Sequence, residues 1–372
     1  MVTPRTSDVT FFFGAGASAP FGIPTMKQFV TDFEKSLNQT GNESEKSIYV
    51  GIKETLERQL RRPVDLEAIF TVIDGILNNI PEKLGLFATY LTTGFKIISD
   101  SDMQTCSSLK EKFQTFVSEQ CVIPDGSFDR IREVYHDLFN RFVLELKPSG
   151  YEVRGGTYVW DQKWTIFTTN YDLCLEYYWR EAARIGIETG FQYDTTRSVN
   201  RLQPRTFLVE ENPIRLFKLH GSINWLIEKE TGEVIEQEMA KGHSHLGRTY
   251  EGEMMVYPIA EKQLYFDPYI SMLLRLNREL ERRPVWVVIG YSFNDPVIRE
   301  IFIRRSTPDK HLILVHPDAS EISKSKLDEL KGKKTLMTQK FGLEEDFRAV
   351  NFKIIGSLKD NPSYGTDKTP IG

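Results

Sequence analysis

Five short apolar runs, each closing on glycine, asparagine, histidine or aspartate, set the tightest limit on what this 372-residue chain can fold into. Val9 to Phe13 leads into Gly14-Ala15-Gly16, Trp164 to Phe167 into Thr168-Thr169-Asn170, and Arg215 to Leu219 into His220-Gly221. Val285 to Ile289 then leads into Gly290-Tyr291-Ser292, and Leu312 to Val315 into His316-Pro317-Asp318. Near-continuous β-rich runs of this length suit strands buried on both faces, as in the inner strands of a parallel sheet covered by helices. In such sheets ligands bind beyond the carboxyl ends of the strands. Polar residues recurring at those ends therefore predict one shared cleft.

Between the first and second runs lie about 150 residues that read mostly as helix. Asp65 suits an N-cap, and Leu66, Ile69, Phe70, Ile73, Ile76, Leu77 and Ile80 follow at intervals of three and four, forming one apolar helical face. Asp129 to Leu146 repeats the pattern with Ile131, Val134, Leu138, Phe142 and Leu146. These spacings predict packed helices and carry no chemistry of their own. The expected fold class is α/β: a Rossmann-like parallel sheet with helices on both faces and a large helical insertion. The domain is expected to span 1–356, with 32–150 as the inserted helical subdomain. Residues 357–372 hold two prolines and few large apolar side chains, which predicts a mobile C-terminal tail.

Bulk composition removes several function classes. Apolar residues at 40% and charged residues at 27% fit a globular protein with an ordinary core. A net charge of −5 argues against a general nucleic-acid binder, because there is no basic excess to displace counterions from phosphates. The best local basic patch, Lys331-Gly332-Lys333-Lys334, is expected to be a solvated turn. Cys106, Cys121 and Cys174 show no C-x-x-C spacing, so neither a zinc ribbon nor a dithiol redox motif is encoded, and the pattern fits a reducing cytoplasm. His243 and His245 sit in a polar stretch, 228–248, without a nearby cysteine or a His-x-x-x-His pair, so no metal is expected. Phe11-Phe12-Phe13 before Ala17-Ser18-Ala19 mimics an export signal. However, Arg5 and Asp8 cancel and glycines and a proline break the run, so export is not expected. No stretch approaches the roughly 20 apolar residues that span a bilayer.

Four motifs could carry chemistry. In Gly14-Ala15-Gly16-Ala17-Ser18 the glycines would let the backbone turn tightly and approach a pyrophosphate, whose charge is met by amides and a helix N-terminus. An ordinary strand–loop connection is the alternative, although Gly22-Ile23-Pro24 lengthens the loop and delays the helix. In Thr168-Thr169-Asn170-Tyr171-Asp172 the asparagine offers a donor and an acceptor that could orient a water or hold a ribose hydroxyl. Equally, Asn170 or Asp172 could cap a helix from Leu173 to Ala183. In Lys218-Leu219-His220-Gly221-Ser222-Ile223-Asn224-Trp225 the histidine suits proton transfer near neutral pH, or is satisfied by carbonyls. Gly290-Tyr291-Ser292-Phe293-Asn294-Asp295 is a second glycine turn, with Asp295-Pro296 opening a helix.

In order and combination, these motifs resemble the silent-information-regulator-two, or sirtuin, family over about residues 8–25, 164–226 and 284–318. The resemblance implies that NAD is the substrate. Gly14, Ala15, Gly16, Gly22 and Ile23 look like the family's NAD-phosphate loop, with Ser18 and Thr169 counted among the NAD-binding residues. Asn170 and Asp172 are similar to the polar pair beside the nicotinamide ribose, and His220 to the catalytic histidine. Gly290, Tyr291 and Ser292 resemble the Gly-x-Ser loop near the phosphates. His316 stands where the family usually has an asparagine for the adenosine ribose. Two departures matter. The two C-x-x-C pairs of protein-deacylating sirtuins are missing, since 221–284 holds no cysteine, and Thr25-Met26-Lys27 replaces the usual Asp-Phe-Arg. The wording of the His220 and Gly290 motifs looks like the bacterial sirtuin-like proteins of antiphage defence. That likeness implies an NAD hydrolase, homo-oligomeric, in some cases with a HerA-like ATPase partner. An NAD-dependent deacylase, an ADP-ribosyltransferase and a non-enzymatic NAD or ADP-ribose sensor are the alternatives.

Overall fold

The structure is a computed structural model that describes residues 8–61, 64, 66–78, 100–146, 152–154, 157–159, 164–203, 214–228, 233–237, 250–255, 267–339 and 341. In chain order the elements begin with β1 (Val9–Phe13), α1 (Met26–Thr40), α2 (Glu43–Leu60), α3 (Leu66–Asn78), α4 (Asp100–Cys121) and α5 (Phe128–Leu146). Strands β2 (Glu152–Arg154), β3 (Thr157–Val159) and β4 (Trp164–Thr168) follow, and then a one-turn α6 (Cys174–Tyr177). Next come β5 (Ile187–Glu188), β6 (Phe191–Asp194), β7 (Val199–Leu202), β8 (Ile214–Lys218), β9 (Gly221–Glu228), β10 (Val234–Glu236) and β11 (Tyr250–Met255). The last elements are α7 (Tyr269–Arg282), β12 (Val285–Ile289), α8 (Pro296–Arg305), β13 (His311–Val315), α9 (Ala319–Ser325) and β14 (Lys333–Met337).

The chain forms two compact units. The first comprises Met1–Ile23, Ile123–Met255 and Asp267–Gly372, the second Pro24–Val122 and Val256–Phe266. The first unit is built on a seven-stranded sheet in the order β14-β13-β12-β1-β4-β8-β5. Every pairing in it is parallel. This is a Rossmann-type α/β fold. All five apolar runs read from the sequence are strands (β1, β4, β8, β12 and β13), and all five are wholly buried.

Alternation along β1 sends its side chains to opposite faces. Phe11 and Phe13 meet α5: the Phe11–Phe139 ring centroids are 5.8 Å apart and those of Phe13 and Tyr135 6.0 Å. Phe12 points the other way, to Tyr291 at 4.7 Å and to Phe302 of α8 at 5.5 Å. Helices thus cover both faces, and the core divides into two aromatic-rich layers.

Other parts of the first unit depart from the sequence reading. Lys333 and Lys334 do not lie in a solvated turn. They open β14, pairing with His311 and Leu312. Among the described residues β14 is the outermost strand of the sheet, and at such an edge lysines are tolerated and discourage pairing with another chain. A second, five-stranded antiparallel sheet, in the order β11-β9-β10-β7-β6, was not expected; it takes in part of the polar stretch that follows Glu228.

The second unit is helical. Its centre is Phe33, whose ring meets those of Tyr49, Phe70, Phe113 and Phe116 at centroid distances of 5.3–5.7 Å. The expected apolar face of α3 is buried at Leu66, Ile69, Phe70 and Ile73. A capping box fixes the start of α2, in which Asn42 accepts from the Glu45 amide and Glu45 accepts from the Asn42 amide. The predicted cap at Asp65, Ile80, the side chains of Phe142 and Leu146, His243, His245 and the 357–372 tail lie outside the described residues.

Candidate functional site

The sheet order reverses between β1 and β12: the chain works outward from β1 through β4 and β8, then returns to β12 on the other side of β1. At such a switch point the loops leaving neighbouring strands part and open a crevice. The loops after β1, β4, β8 and β12 carry the four motifs. Backbone hydrogen bonds tie their roots together, with the Thr169 amide donating to Phe13, Leu219 to Thr168, Gly290 to Val315 and Gly16 to Gly290.

The two glycine loops pack on each other. A Cβ added at Gly14 would lie 2.6 Å from Tyr291 Cα, and one at Gly16 would lie 2.8 Å from Gly290 Cα. Gly290 itself adopts φ 66°. These glycines are therefore needed for loop-to-loop contact, which is a different reason from the approach to a pyrophosphate read from sequence. The expected helix N-terminus after Gly16 is also missing. Ala15–Ala17 and Ala19–Phe21 are single 3-10 turns, the second ending at Gly22 with φ 83°. Ile23 is buried in the core cluster.

Asn170 links the first two motifs. Its Nδ2 donates to Gly14 O at 3.0 Å and to Ser18 Oγ at 2.9 Å, while its amide donates to Thr168 Oγ1 at 3.0 Å. Asn170 Oδ1 is buried and has no partner among the described residues. A buried amide oxygen left bare costs free energy unless a ligand or water supplies a donor. Asp172 Oδ1 accepts from the Cys174 amide at the start of α6, although Leu173, rather than Asn170 or Asp172, stands at the N-cap of that helix. The helix expected from Leu173 to Ala183 becomes the short α6 followed by a π turn, Tyr178–Ala182. Burial pushes the Cys174 thiol well up, and Asp172 pushes it further, so it is held as the thiol.

His220 is buried, and its Nε2 lies 3.2 Å from Asp295 Oδ2. The other oxygen, Asp295 Oδ1, caps α8 by accepting from the Val297 and Ile298 amides. Burial raises the Asp295 carboxyl, but the hydrogen bond and charge of His220 and the two amides outweigh it and leave the group below the ordinary aspartate range. Phe293 sits at φ 56°, a conformation an aromatic residue rarely takes. Its wholly buried ring, 5.2 Å from that of Phe302, holds the turn that delivers Asp295.

Behind His220, Lys218 is a buried cation at the end of β8. Its Nζ donates to Glu176 Oε1 at 2.9 Å, to Tyr171 O at 3.3 Å and to Asp172 O. The Tyr171–Asp172 turn, next to Asn170, is thus strapped to β8. Sequence reading passed over Lys218 and Glu176, although a lysine inside an apolar run signals a buried partner. It also read Asp295 only as a helix opener.

The remaining predicted residues are more peripheral. The Tyr291 ring packs on Phe12 and Phe293, a core position. Ser292 O accepts from Lys326 Nζ at 2.9 Å. Half-buried His316 accepts the Asp318 amide on Nδ1, and burial pulls its pKa down. Among the described residues no group of three His, Cys, Asp or Glu side chains could hold a metal ion, and no helix is long and apolar enough to cross a membrane.

Fold and site together define a Rossmann-type α/β protein that gathers a buried asparagine and a histidine–carboxylate pair at its strand ends. Comparison with known families makes this more specific: residues 165–336 match the family model described as a SIR2-like domain. That stretch holds Asn170, His220 and Asp295 and leaves Gly14–Ile23 outside it. No curated protein matches the chain. Among solved structures, a histidine-to-asparagine mutant of a Sir2 homologue in complex with ADP-ribose is similar at 15% identity and a TM-score of 0.42, covering 94% of this chain and 93% of that one. A Sir2 homologue–NAD complex is similar at 14% identity and a TM-score of 0.41, with the same coverage. A Sir2 protein bound to a propionylated peptide is similar at 11% identity and a TM-score of 0.36, covering 93% and 92%. Likeness this distant leaves the chemistry to the residues of the chain itself.

Proposed function

We propose that this protein is an NAD hydrolase that cleaves the nicotinamide–ribose bond, releasing nicotinamide and ADP-ribose. The observation that carries the reading is Asn170, buried at the end of β4 with Oδ1 unsatisfied among the described residues, beside strand β8, whose end carries His220 in its pair with Asp295. The SIR2-like match over 165–336 supports it.

In NAD the nicotinamide is a cationic leaving group, so its departure needs no strong acid. The C1′–N bond breaks with its electron pair going to the nicotinamide nitrogen, and the ribose takes on oxocarbenium character, as in glycoside cleavage. Water then bonds to C1′ and gives up a proton. In this proposal Asn170 Oδ1 holds that water or a ribose hydroxyl, and His220 takes the proton. Asp172 fixes the ribose side of the pocket through the turn it caps. Gly14, Ala15, Gly16, Ser18, Gly22, Thr169, Gly290, Ser292 and His316 would supply the remaining contacts to NAD, with buried Ile23 and Tyr291 supporting their loops from the core.

The biological setting that goes with this activity is antiphage defence by NAD depletion in the cytoplasm. The active species would be a homo-oligomer, with a HerA-like ATPase as a candidate partner. A free NAD hydrolase would harm its host, so assembly or a partner would restrain it by shifting the population of the open cleft.

The test is NAD consumption by the purified protein without any acyl or ADP-ribose acceptor, alone and with the candidate ATPase. Nicotinamide and ADP-ribose should appear in equal amounts. His220→Ala and Asn170→Ala should each lower turnover by about 100-fold or more while leaving the far-ultraviolet circular dichroism unchanged. Normal turnover in a folded His220→Ala protein would remove this mechanism. Turnover that appears only with an acceptor would identify a transferase instead.

A further inference from the structure

We propose that Asp295 is the positioning residue of His220: it fixes the imidazole as the Nε2–H tautomer and so makes Nδ1 the proton-accepting atom. The inference rests on the hydrolase reading for its kinetic consequence, but its geometry stands apart from that reading.

Three observations carry it. His220 Nε2 and Asp295 Oδ2 are 3.2 Å apart, and both residues are buried, so water does not compete for the contact. Asp295 cannot turn away. Its Oδ1 is held by two amides, Val297 N at 2.8 Å and Ile298 N at 3.2 Å, at the start of α8. A carboxylate with one oxygen fixed in a helix cap presents the other in a constant direction. Third, His220 Nδ1 has no hydrogen-bond partner among the described residues, so the ring contact with Asp295 is the only polar one that orients it there.

An ionised carboxylate only accepts hydrogen bonds. Facing it, neutral imidazole must put its proton on Nε2, which leaves the lone pair on Nδ1. When Nδ1 takes a proton from water or a ribose hydroxyl, the imidazolium that forms is stabilised by the same carboxylate, which itself stays ionised. This is the role the buried aspartate plays in hydrolase triads, where replacing it by asparagine preserves the geometry but selects the wrong tautomer. Here a helix cap and a histidine anchor share one carboxylate, which ties the start of α8 to the end of β8.

Asp295→Asn separates the two duties, because asparagine caps helices as well as aspartate does. Its Oδ1 can keep the two amides while its Nδ2 presents a donor to His220. Asp295→Ser keeps a cap but lacks the reach to the ring. Protein labelled with nitrogen-15 histidine, ligand-free at pH about 8.5, where an ordinary imidazole is neutral, reports the tautomer from its long-range proton–nitrogen couplings. The His220 signals are identified by their loss in His220→Gln. The wild type is expected to show Nε2–H, Asp295→Asn to show Nδ1–H, and Asp295→Ser to show a mixture. In the NAD assay, kcat should fall by about 100-fold or more in Asp295→Asn, with KM changed less than about threefold. Adding Asp295→Asn to His220→Ala should lower kcat no further. The same tautomer in the wild type and both variants would overturn the proposal whether or not the protein turns over NAD, as would an undiminished kcat in Asp295→Asn. Absent NAD turnover in the wild type would instead count against the hydrolase reading, and the tautomer would still decide the role of Asp295.

Discussion

At the residue scale, Gly290 bears the tightest constraint. A Cβ there would stand 2.3 Å from the Ala17 amide nitrogen and 2.5 Å from Gly16 C, and the backbone already lies in the left-handed region. Overpacking against backbone costs about 1–3 kcal/mol, and a left-handed non-glycine residue about 1–2 kcal/mol more. Gly290→Ala is therefore expected to lower stability by about 2–5 kcal/mol in urea denaturation. Gly51→Ala, where an added Cβ meets nothing within 4 Å, should not destabilise helix α2. A glycine before a polar turn announces a special backbone; which neighbour requires it depends on a strand nearly 280 residues away in the sequence. That is why Gly14 and Gly290 were legible as special while the reason for them was not. Asn170 and His220 were legible because polar residues at the ends of apolar strands are unusual. Asp295 was not, because its cap duty already explained it.

At the scale of elements, the end of β8 and the turn after β4 behave as one piece. Lys218 and Glu176 are both buried and joined at 2.9 Å, and Lys218 also holds the Tyr171 and Asp172 carbonyls. Removing one member of a buried pair leaves an uncompensated charge, at a cost of about 3–5 kcal/mol. Lys218→Met should lose about that much in thermal or urea unfolding, and adding Glu176→Leu should recover a good part of it. Failure of the second change to recover any stability would show that the carbonyl contacts, rather than the ion pair, dominate. The five buried strands could be read from the sequence because burial on both faces leaves an uninterrupted apolar signature. Strands β10 and β5, of three and two residues, are too short to show any period. The lysines of β14 hid an edge strand, since the rule that reads charge as solvent exposure takes no account of pairing along one side.

At the scale of the whole molecule, the proposed homo-oligomer and partner make a kinetic prediction. If the active species is an assembly, NAD turnover per protomer rises with protein concentration and levels off once the assembly is complete, with sedimentation velocity following the same curve. Turnover per protomer that is constant across the monomer–oligomer transition would make the single chain the active species. The net charge of −5 and the helical second unit, with its own buried aromatic cluster around Phe33, leave the choice of partner to surface chemistry.

The position of β1 also sets a schedule for making the protein. Val9 pairs with Val285, 276 positions further along (285 minus 9). The central strand, with its three phenylalanines, thus leaves the ribosome first and waits for β12. At about 5–20 residues per second, that wait lasts roughly 15 to 55 s. During it the Gly14 loop has no Gly290 to seat against and His220 has no Asp295. A nascent chain would therefore be without its assembled site until the Asp295 turn has emerged, 281 positions after Gly14 (295 minus 14).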